Sequence, residues 1–223
     1  MPTVTDDLDQ LEPATAGEAA VLAGAPASTR KGRDRVLKVL DATKAVLISH
    51  GYAGLTLRLV AERADIAHSN VQYYFPTKDR LVESFMMYIS SGYRRDVQIL
   101  LDSTPNDPLE RFTRYVRYYI NENRTLSVTV IFAELRAMSQ RNDFILDMLD
   151  RMYISYRERM EALLEDVNPT VPAAKRALRA ALIIAIIDGL MIFIGGKNAR
   201  HAALAELGEE AEREIVRIAT APA

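Results

Sequence analysis

Residues 56–81 read TLRLVAERADIAHSNVQYYFPTKDRL, and this stretch decides the fold. Thr56 is suited to begin a helix, because its side-chain oxygen can accept a hydrogen bond from a free N–H of the first turn. About two helical turns fit before Asp65. A second short helix over 68–74 then ends near Pro76, since proline cannot continue a helix. Two short helices joined by a tight turn predict a helix-turn-helix.

Helical periodicity continues on both sides of this stretch. Apolar residues recur at three- and four-residue spacing from Arg33 onward, and Gly51 stands where a helix C-cap would lie. Later breaks coincide with residues rich in Pro, Gly and Asn. The further helices are predicted over about 78–101, 109–122, 125–138, 142–166, 173–194 and 202–219. We therefore expect an all-α fold with an N-terminal three-helix helix-turn-helix domain and a C-terminal helical bundle.

Charge divides the chain unevenly. Residues 1–28 hold five Asp and Glu and no Lys or Arg, and they lack apolar periodicity, so we expect a disordered acidic tail. Residues 29–95 carry 12 Lys and Arg against six acids, whereas residues 96–223 carry 16 against 19. A basic segment in an acidic chain is typical of a part that meets nucleic acid, although a solvated surface explains it equally well.

Several function classes are disfavoured by composition. Cys is absent, which excludes thiol nucleophiles and disulfides. The acidic start lacks the features of a signal peptide, and Asp188 interrupts the apolar run 180–196, which we interpret as a buried helix and not as a membrane span. His50, His68 and His201 never approach metal-ligand spacing. We therefore expect no catalytic residue, no metal, no cofactor and no membrane partner.

The segment 56–81 resembles the N-terminal signature of the TetR family. The resemblance rests on the Gly51-Tyr52 step that closes helix 1, on Thr56 at the start of helix 2, and on an aromatic triplet followed by Pro-x-Lys. It implies a cytoplasmic homodimer that binds double-stranded DNA at a palindromic operator. It also implies that a small-molecule effector releases a repressor of this kind. We expect residues 29–78 to bind DNA and residues 79–223 to bind ligand and form the dimer.

The second short helix has the polar face that a recognition helix requires. Such a helix enters a major groove about 12 Å wide and reads base edges near its N-terminal end. Val71 and Phe75 lie four residues apart and are expected to point into the core. The predicted base-reading residues are His68, Ser69, Asn70 and Gln72. A single histidine at a helix start is also a common surface residue, so His68 has an ordinary explanation as well.

A second set of residues is predicted to contact phosphate. Thr56 lies at a helix N-terminus, where free N–H groups favour an anion. Two phenol hydroxyls and an ammonium group suit backbone contacts. The residues in this set are Tyr73, Tyr74 and Lys78. The resemblance also implies a base or phosphate contact for Arg58.

The sequence departs from the family pattern in three places. Asp65 replaces the usual turn glycine, and we expect the turn to survive because Asp tolerates the left-handed conformation better than most residues. Ala67 replaces the usual Ser or Thr cap, so we expect a neighbouring side chain to supply that hydrogen bond. Gln72 replaces the more common Tyr and is expected to read a base edge instead of holding phosphate.

The C-terminal half is predicted to hold a ligand cavity and a dimer interface. By resemblance, helices 173–194 and 202–219 form a four-helix bundle with a second subunit. A stripe with small residues suits that contact, and it consists of Leu178, Leu182, Ala185 and Gly189. Ile183, Ile187, Leu190 and Ile194 are expected to face the core.

A deformable apolar pocket is expected among the middle helices. The candidate lining residues are Tyr115, Tyr119, Phe132, Leu135, Met138, Met148, Met152, Tyr153 and Met191, to which Tyr118 is a further candidate. Each of these residues is also compatible with an ordinary core position. Glu134 and Asp188, on otherwise apolar helices, are either a carboxylate pair or two separately satisfied polar residues.

Three functions remain open on the sequence alone. The first is a repressor released by a ligand, and the second is an activator or ligand-independent regulator on the same scaffold. The third is a helical-bundle enzyme or carrier with an incidental basic face. Salt-dependent binding to one palindromic site distinguishes the first two from the third.

Overall fold

The computed structural model describes residues 29–198 and 204–223, and it confirms the all-α prediction. In those residues every regular element is helical. The α-helices are α1 (Arg30–Gly54), α2 (Leu57–Ala64), α3 (His68–Tyr74), α4 (Lys78–Asp102), α5 (Pro108–Glu122), α6 (Leu126–Ser139), α7 (Asp143–Val167), α8 (Ala173–Ile194) and α9 (Leu207–Thr220). A 3-10 turn over Gly196–Asn198 follows α8. The predicted acidic tail and His201 lie outside the described residues.

Side-chain caps fix where most helices begin. The Thr56 hydroxyl accepts a hydrogen bond from the N–H of Leu59 at 3.1 Å, as predicted from its residue type. The start predicted for helix 1 at Arg33 is late, because Thr29 caps the helix and Arg30 is its first residue. The start of the last helix also differs, since residues 205–206 form a turn and α9 begins at Leu207, while residues 202–203 of the predicted helix lie outside the described residues.

Gly51 interrupts α1 as the sequence predicted. Its φ of 64° and ψ of 179° lie in a region that is essentially restricted to glycine. Residues 52–54 form one more turn, and the N–H of Leu55 donates to the carbonyl oxygen of Tyr52 at 3.2 Å. The kink therefore ends the long first helix and directs the chain into α2.

Two buried apolar clusters support the fold. The first core holds α1 to α3 and the start of α4 together, and it also includes Ile131 and Leu135 of α6 and Ile145 of α7. The second core joins α5, the C-terminal half of α7, α8 and α9. The helix-turn-helix is consequently packed directly against helices from the C-terminal half of the chain.

Within the single chain, helix α8 is buried on one side and exposed on the other. Ile183, Ile187, Leu190 and Ile194 face the second core, as predicted. The opposite side leaves large apolar side chains in the open, and Leu178 is 72% exposed. Among the described residues, α8 is the one helix that is long and apolar enough to cross a membrane. Core helices of soluble proteins often have the same length and composition.

Candidate DNA-binding surface and ligand cavity

The recognition helix α3 is held by its apolar residues and presents its polar ones. Val71 and Phe75 are 0% and 1% exposed within the first core, as the four-residue spacing predicted. His68, Ser69 and Gln72 lie on the surface, and Asn70 is half-buried. The four predicted base-reading residues therefore share a short helix whose orientation is fixed by two buried side chains.

The turn before α3 shows one prediction confirmed and one wrong. Asp65 adopts φ 51° and ψ 51°, and it is the single non-glycine residue with positive φ in the described part of the chain. The left-handed turn therefore survives without glycine. Ala67 begins α3 with no side-chain cap, so the expected replacement by a neighbour is absent. Among the residues that the structure describes, no side-chain oxygen accepts a hydrogen bond from the first turn of α3.

The predicted phosphate-contacting residues surround α3 in different environments. Thr56 and Arg58 are exposed at the start of α2. Tyr73 is 62% exposed, whereas Tyr74 is half-buried against the first core, and the two rings meet edge to face with centroids 5.2 Å apart. Their hydroxyl groups are therefore the polar ends of side chains that also pack on the protein.

Lys78 has a partner inside the protein. Its Nζ donates a hydrogen bond to the carbonyl oxygen of Tyr52 at 2.5 Å and lies 4.0 Å from the centroid of the Tyr52 ring. Burial lowers the pKa of Lys78, and the nearby Asp79 opposes this shift. An ammonium group has three donors, so two remain for other partners. Lys78 thus joins the start of α4 to the end of α1.

Tyr52 is also held from the C-terminal half of the chain. The Glu134 carboxylate of α6 accepts a hydrogen bond from the N–H of Tyr52 at 3.0 Å, across 82 residues of sequence. A Cβ atom at Gly51 would lie 3.0 Å from both Glu134 carboxylate oxygens. Glycine at position 51 therefore permits both the positive φ of the backbone and the close approach of the Glu134 carboxylate.

The middle helices enclose a cavity of about 410 Å³, which is within the usual range for small-molecule sites. Helices α4, α5, α6, α7 and α8 all contribute to its wall. The apolar part of the wall consists of Met86, Met87, Val97, Val128, Phe132, Met148, Met152, Ile187 and Met191. The polar part includes Tyr93, Tyr115, Tyr119, Tyr153, Tyr156, Glu83, Glu122, Asp188, Arg94, Arg151 and Arg159.

Seven of the ten predicted pocket residues lie in this wall, and the exceptions are Leu135, Met138 and Tyr118. Leu135 and Met138 pack into the first core instead. They share a stripe of α6 with Ile131, at spacings of four and three residues, whereas Val128 and Phe132 of the same helix line the cavity. Tyr118 lies beside the cavity, with its ring centroid 5.2 Å from that of Tyr119.

Sequence reasoning missed most of the polar wall. Tyr93 and Arg94 belong to α4, from which no pocket residue was predicted, and Tyr156 belongs to the centre of α7. Periodicity places Tyr156 on the helix face that carries Met152, four residues earlier, and this signal was available in the sequence. The charged residues of the wall carry no comparable signal, because exposed and cavity-facing arginines look alike in sequence.

The tyrosines form a connected group. The ring centroids of Tyr119 and Tyr156 are 4.5 Å apart, and those of Tyr115 and Tyr119 are 5.0 Å apart. Burial raises the pKa of each of these phenols, and that of Tyr119 reaches about 12. They are therefore neutral hydrogen-bonding groups at physiological pH. Tyr156 Oη is buried and has no hydrogen-bond partner in the described structure.

Glu134 and Asp188 are separately satisfied residues, which was one of the two interpretations left open. Asp188 accepts hydrogen bonds from the Tyr153 hydroxyl at 2.6 Å and from Arg136 at 3.2 Å. Burial raises the pKa of Asp188, and these two partners oppose the shift. Glu134 is engaged with Tyr52 in the junction described above.

Comparison with known proteins agrees with this arrangement. The profile of the family described as "Bacterial regulatory proteins, tetR family" matches residues 39–85. The HTH-type transcriptional regulator BetI from Burkholderia cenocepacia is 30% identical over 179 residues, covering 76% of this chain and 88% of BetI. The HTH-type transcriptional repressor KstR from Mycobacterium tuberculosis is 27% identical over 157 residues, covering 68% of this chain and 71% of KstR.

A solved structure shares the fold over most of the chain. The transcriptional regulator FadR from Bacillus subtilis, in complex with stearoyl-CoA, superimposes with a TM-score of 0.67 and is 15% identical in sequence. The match covers 81% of this chain and 97% of FadR. At this identity the likeness establishes a common architecture.

Proposed function

This chain belongs to the TetR family of bacterial regulatory proteins, and on that premise we propose that it is a repressor which leaves a palindromic operator when a small molecule fills its cavity. Its relatives are transcriptional regulators, and it is a DNA-binding transcriptional regulator. KstR, a relative, is a repressor by name. In this proposal residues 29–78 bind DNA in the cytoplasm, and residues 79–223 bind the effector and the second subunit.

The observation that carries the DNA-binding proposal is the division of α3 into two faces. Buried Val71 and Phe75 fix the helix, while His68, Ser69 and Gln72 are free to meet base edges. Thr56, Tyr73, Tyr74 and Lys78 are proposed to contact the phosphate backbone around it, and Arg58 is proposed to contact a base or a phosphate.

A homodimer places two recognition helices on one operator. TetR-family regulators form dimers, and the exposed stripe of α8 offers the surface. Leu178 is 72% and Leu182 is 52% exposed, and a Cβ at Gly189 would meet nothing within 4 Å. A contiguous apolar stripe of this kind favours burial against another surface. We propose that α8 and α9 pair with their symmetry mates as a four-helix bundle.

The dimer is tested by sedimentation velocity of the full chain at micromolar concentration. We expect a dimer for the wild type and a shift toward monomer for Leu182→Glu, because the new charge would be buried in the proposed interface. The control Leu146→Glu changes an exposed leucine on α7 and should leave the dimer intact. A monomeric wild type would refute this part of the proposal.

The cavity is linked to the DNA-binding surface through Tyr52. Helix α6 lines the cavity with Val128 and Phe132 and bonds the Tyr52 N–H through Glu134. Helix α4 lines it with Met86 and holds the Tyr52 carbonyl through Lys78. A ligand that spreads α4 from α6 therefore acts on the residue that closes α1, immediately before the helix-turn-helix. Such a ligand shifts the protein from its DNA-binding conformation to its ligand-bound conformation only to the extent that it binds the second conformation more tightly than the first.

The decisive experiment separates contacts that read sequence from contacts that position the protein. An operator is first recovered by selection of random duplexes with the wild-type chain. Variants are then titrated against this operator and a scrambled duplex at several salt concentrations. Asn70→Ala and Gln72→Ala should each cost about 1–3 kcal/mol at the operator and leave non-specific affinity nearly unchanged.

Tyr73→Phe and Lys78→Ala should weaken both duplexes alike, because phosphate contacts carry no sequence information. Loss of Lys78 should also reduce the salt slope by about one. Half-sites should recur about 34–36 Å apart or at a multiple of that distance. Equal weakening of both duplexes by all four substitutions would show that α3 does not read bases.

A further inference from the structure

The acidic residues of the cavity wall already have partners in the chain. Glu83 pairs with Arg80 at 2.6 Å. Asp188 is bonded by Tyr153 and Arg136. Glu122 shares a hydrogen bond with Tyr93, and the charge of Lys44 lies close enough to favour its ionised form. A cationic ligand would therefore compete with existing interactions at each of these carboxylates.

The basic residues of the wall are in the opposite situation. Arg94 of α4 and Arg151 and Arg159 of α7 are exposed at the cavity, and none of them forms an ion pair with the residues that the structure describes. Arg94 and Arg159 converge on one group from different helices. Burial raises the pKa of the Tyr119 phenol, and the guanidinium groups of Arg159 and Arg94 both oppose that shift. Glu122 is the one carboxylate of the wall without an ion pair among the described residues, so three unpaired guanidinium groups outnumber it and the charge around the cavity is positive.

The apolar part of the cavity wall is adaptable, and among the buried polar side-chain atoms of the described residues one lacks a hydrogen-bond partner. Five methionines and Phe132 belong to this apolar part, and methionine side chains adjust to ligands of irregular shape. The unpartnered atom is Tyr156 Oη. A buried hydroxyl of this kind costs stability until a ligand or water supplies the hydrogen bond.

From these three observations we propose that the cavity binds an amphipathic anion. Its acidic group, a carboxylate or a phosphate, lies at Arg94 and Arg159, with Arg151 nearby. Its apolar body lies among the methionines and carries a hydrogen-bonding group to Tyr156. The inference rests on the proposed role of this cavity as the effector site, and it names the class of effector.

The first test measures binding to the full chain without DNA, by isothermal titration calorimetry. Four probes share one apolar chain and differ in the head group: decanoate, decyl phosphate, decanol and decyltrimethylammonium. We expect an anion to bind at least about tenfold more tightly than decanol, because bonds to guanidinium are charge-assisted. The stronger of decanoate and decyl phosphate identifies the head group. Tighter binding of the cation, equal binding of the alcohol, or no binding by any probe overturns the proposal.

The second test locates the anion. Arg94→Gln and Arg159→Gln should each weaken anion binding about tenfold and leave decanol binding unchanged. The control Arg157→Gln changes a neighbouring arginine of α7 that pairs with Glu161 at 3.4 Å and does not line the cavity. An equal loss in the control and the two test variants overturns the proposed position of the acid.

The third test uses the unpaired hydroxyl. Tyr156→Phe removes a group that is unsatisfied in the free chain, so the melting temperature of the free chain should rise. The Tyr156→Phe variant should lose affinity only for probes that carry a hydrogen-bonding group along the apolar chain, such as hydroxydecanoate. A lower melting temperature and an unchanged hydroxydecanoate affinity would overturn this contact. Anion binding without release of the operator would instead refute the proposed regulatory role and leave the ligand class in place.

Discussion

The DNA-binding surface and the cavity treat polar side chains in opposite ways. On α3 the apolar residues Val71 and Phe75 are buried, and the polar residues lie toward solvent, where water satisfies them. In the cavity wall, most phenols and carboxylates are half-buried beside methionines, and the buried Tyr156 Oη has no hydrogen-bond partner among the described residues. The first arrangement is stable before DNA arrives. The second arrangement leaves a buried hydroxyl without a hydrogen bond, and this costs free energy that a ligand can restore by supplying the bond. Such a site is suited to respond to ligand binding.

The largest effect is expected at the DNA-binding surface, where buried side chains anchor α3. Phe75→Ala removes a fully buried ring beneath α3 and should lower the free energy of unfolding by about 3–5 kcal/mol. Denaturant unfolding measures it. Tyr73→Ala is the matched control, since that ring is 62% exposed and its loss should stay within about 0.5 kcal/mol. Similar losses in both variants would mean that α3 is not anchored through Phe75.

An intermediate effect is expected where the two regions meet. Gly51→Ala places a side chain at φ 64° and against the Glu134 carboxylate, so stability should fall by about 1–3 kcal/mol. Gly92→Ala is the control, because a Cβ there meets nothing within 4 Å in the middle of α4. That variant should gain about 0.5–1 kcal/mol. A gain at both positions would show that the junction tolerates a side chain.

The smallest effect sharpens the description of the cavity. Burial and the nearby Asp96 raise the pKa of Glu122, while Lys44 and the hydrogen bond with Tyr93 oppose the shift. A carboxyl whose folded-state pKa is raised costs stability once pH exceeds its unfolded pKa, and the cost grows until pH passes the folded pKa. Glu122→Gln should therefore stabilise the protein slightly at neutral pH, and the gain should be small because solvent screens a half-buried carboxylate.

This gain should shrink as pH falls through the raised pKa of Glu122 toward the ordinary glutamate range, because the wild-type carboxyl is then neutral as well. Thermal unfolding of both proteins across that pH range measures the difference. A gain that is independent of pH would assign the effect to packing, and a loss at neutral pH would mean that the charge of Glu122 is stabilising.

Local patterns in the sequence determined the DNA-binding half. The cap at Thr56, the break at Gly51, the left-handed Asp65 and the inward residues of α3 all depend on neighbours within a few positions. Periodicity also indicated the exposed stripe of α8 and most apolar residues of the cavity, because one helix face repeats every three to four residues.

Only the tertiary structure decided how these parts are joined. Glu134 bonds to Tyr52 across 82 residues of sequence. Arg94 of α4 and Arg159 of α7 both lie near Tyr119 of α5. Leu135 and Met138 turn away from the cavity because α6 packs between it and the first core. A helix pattern specifies which face is apolar. Which of two apolar environments that face enters depends on the packing of distant helices, and no local spacing records it.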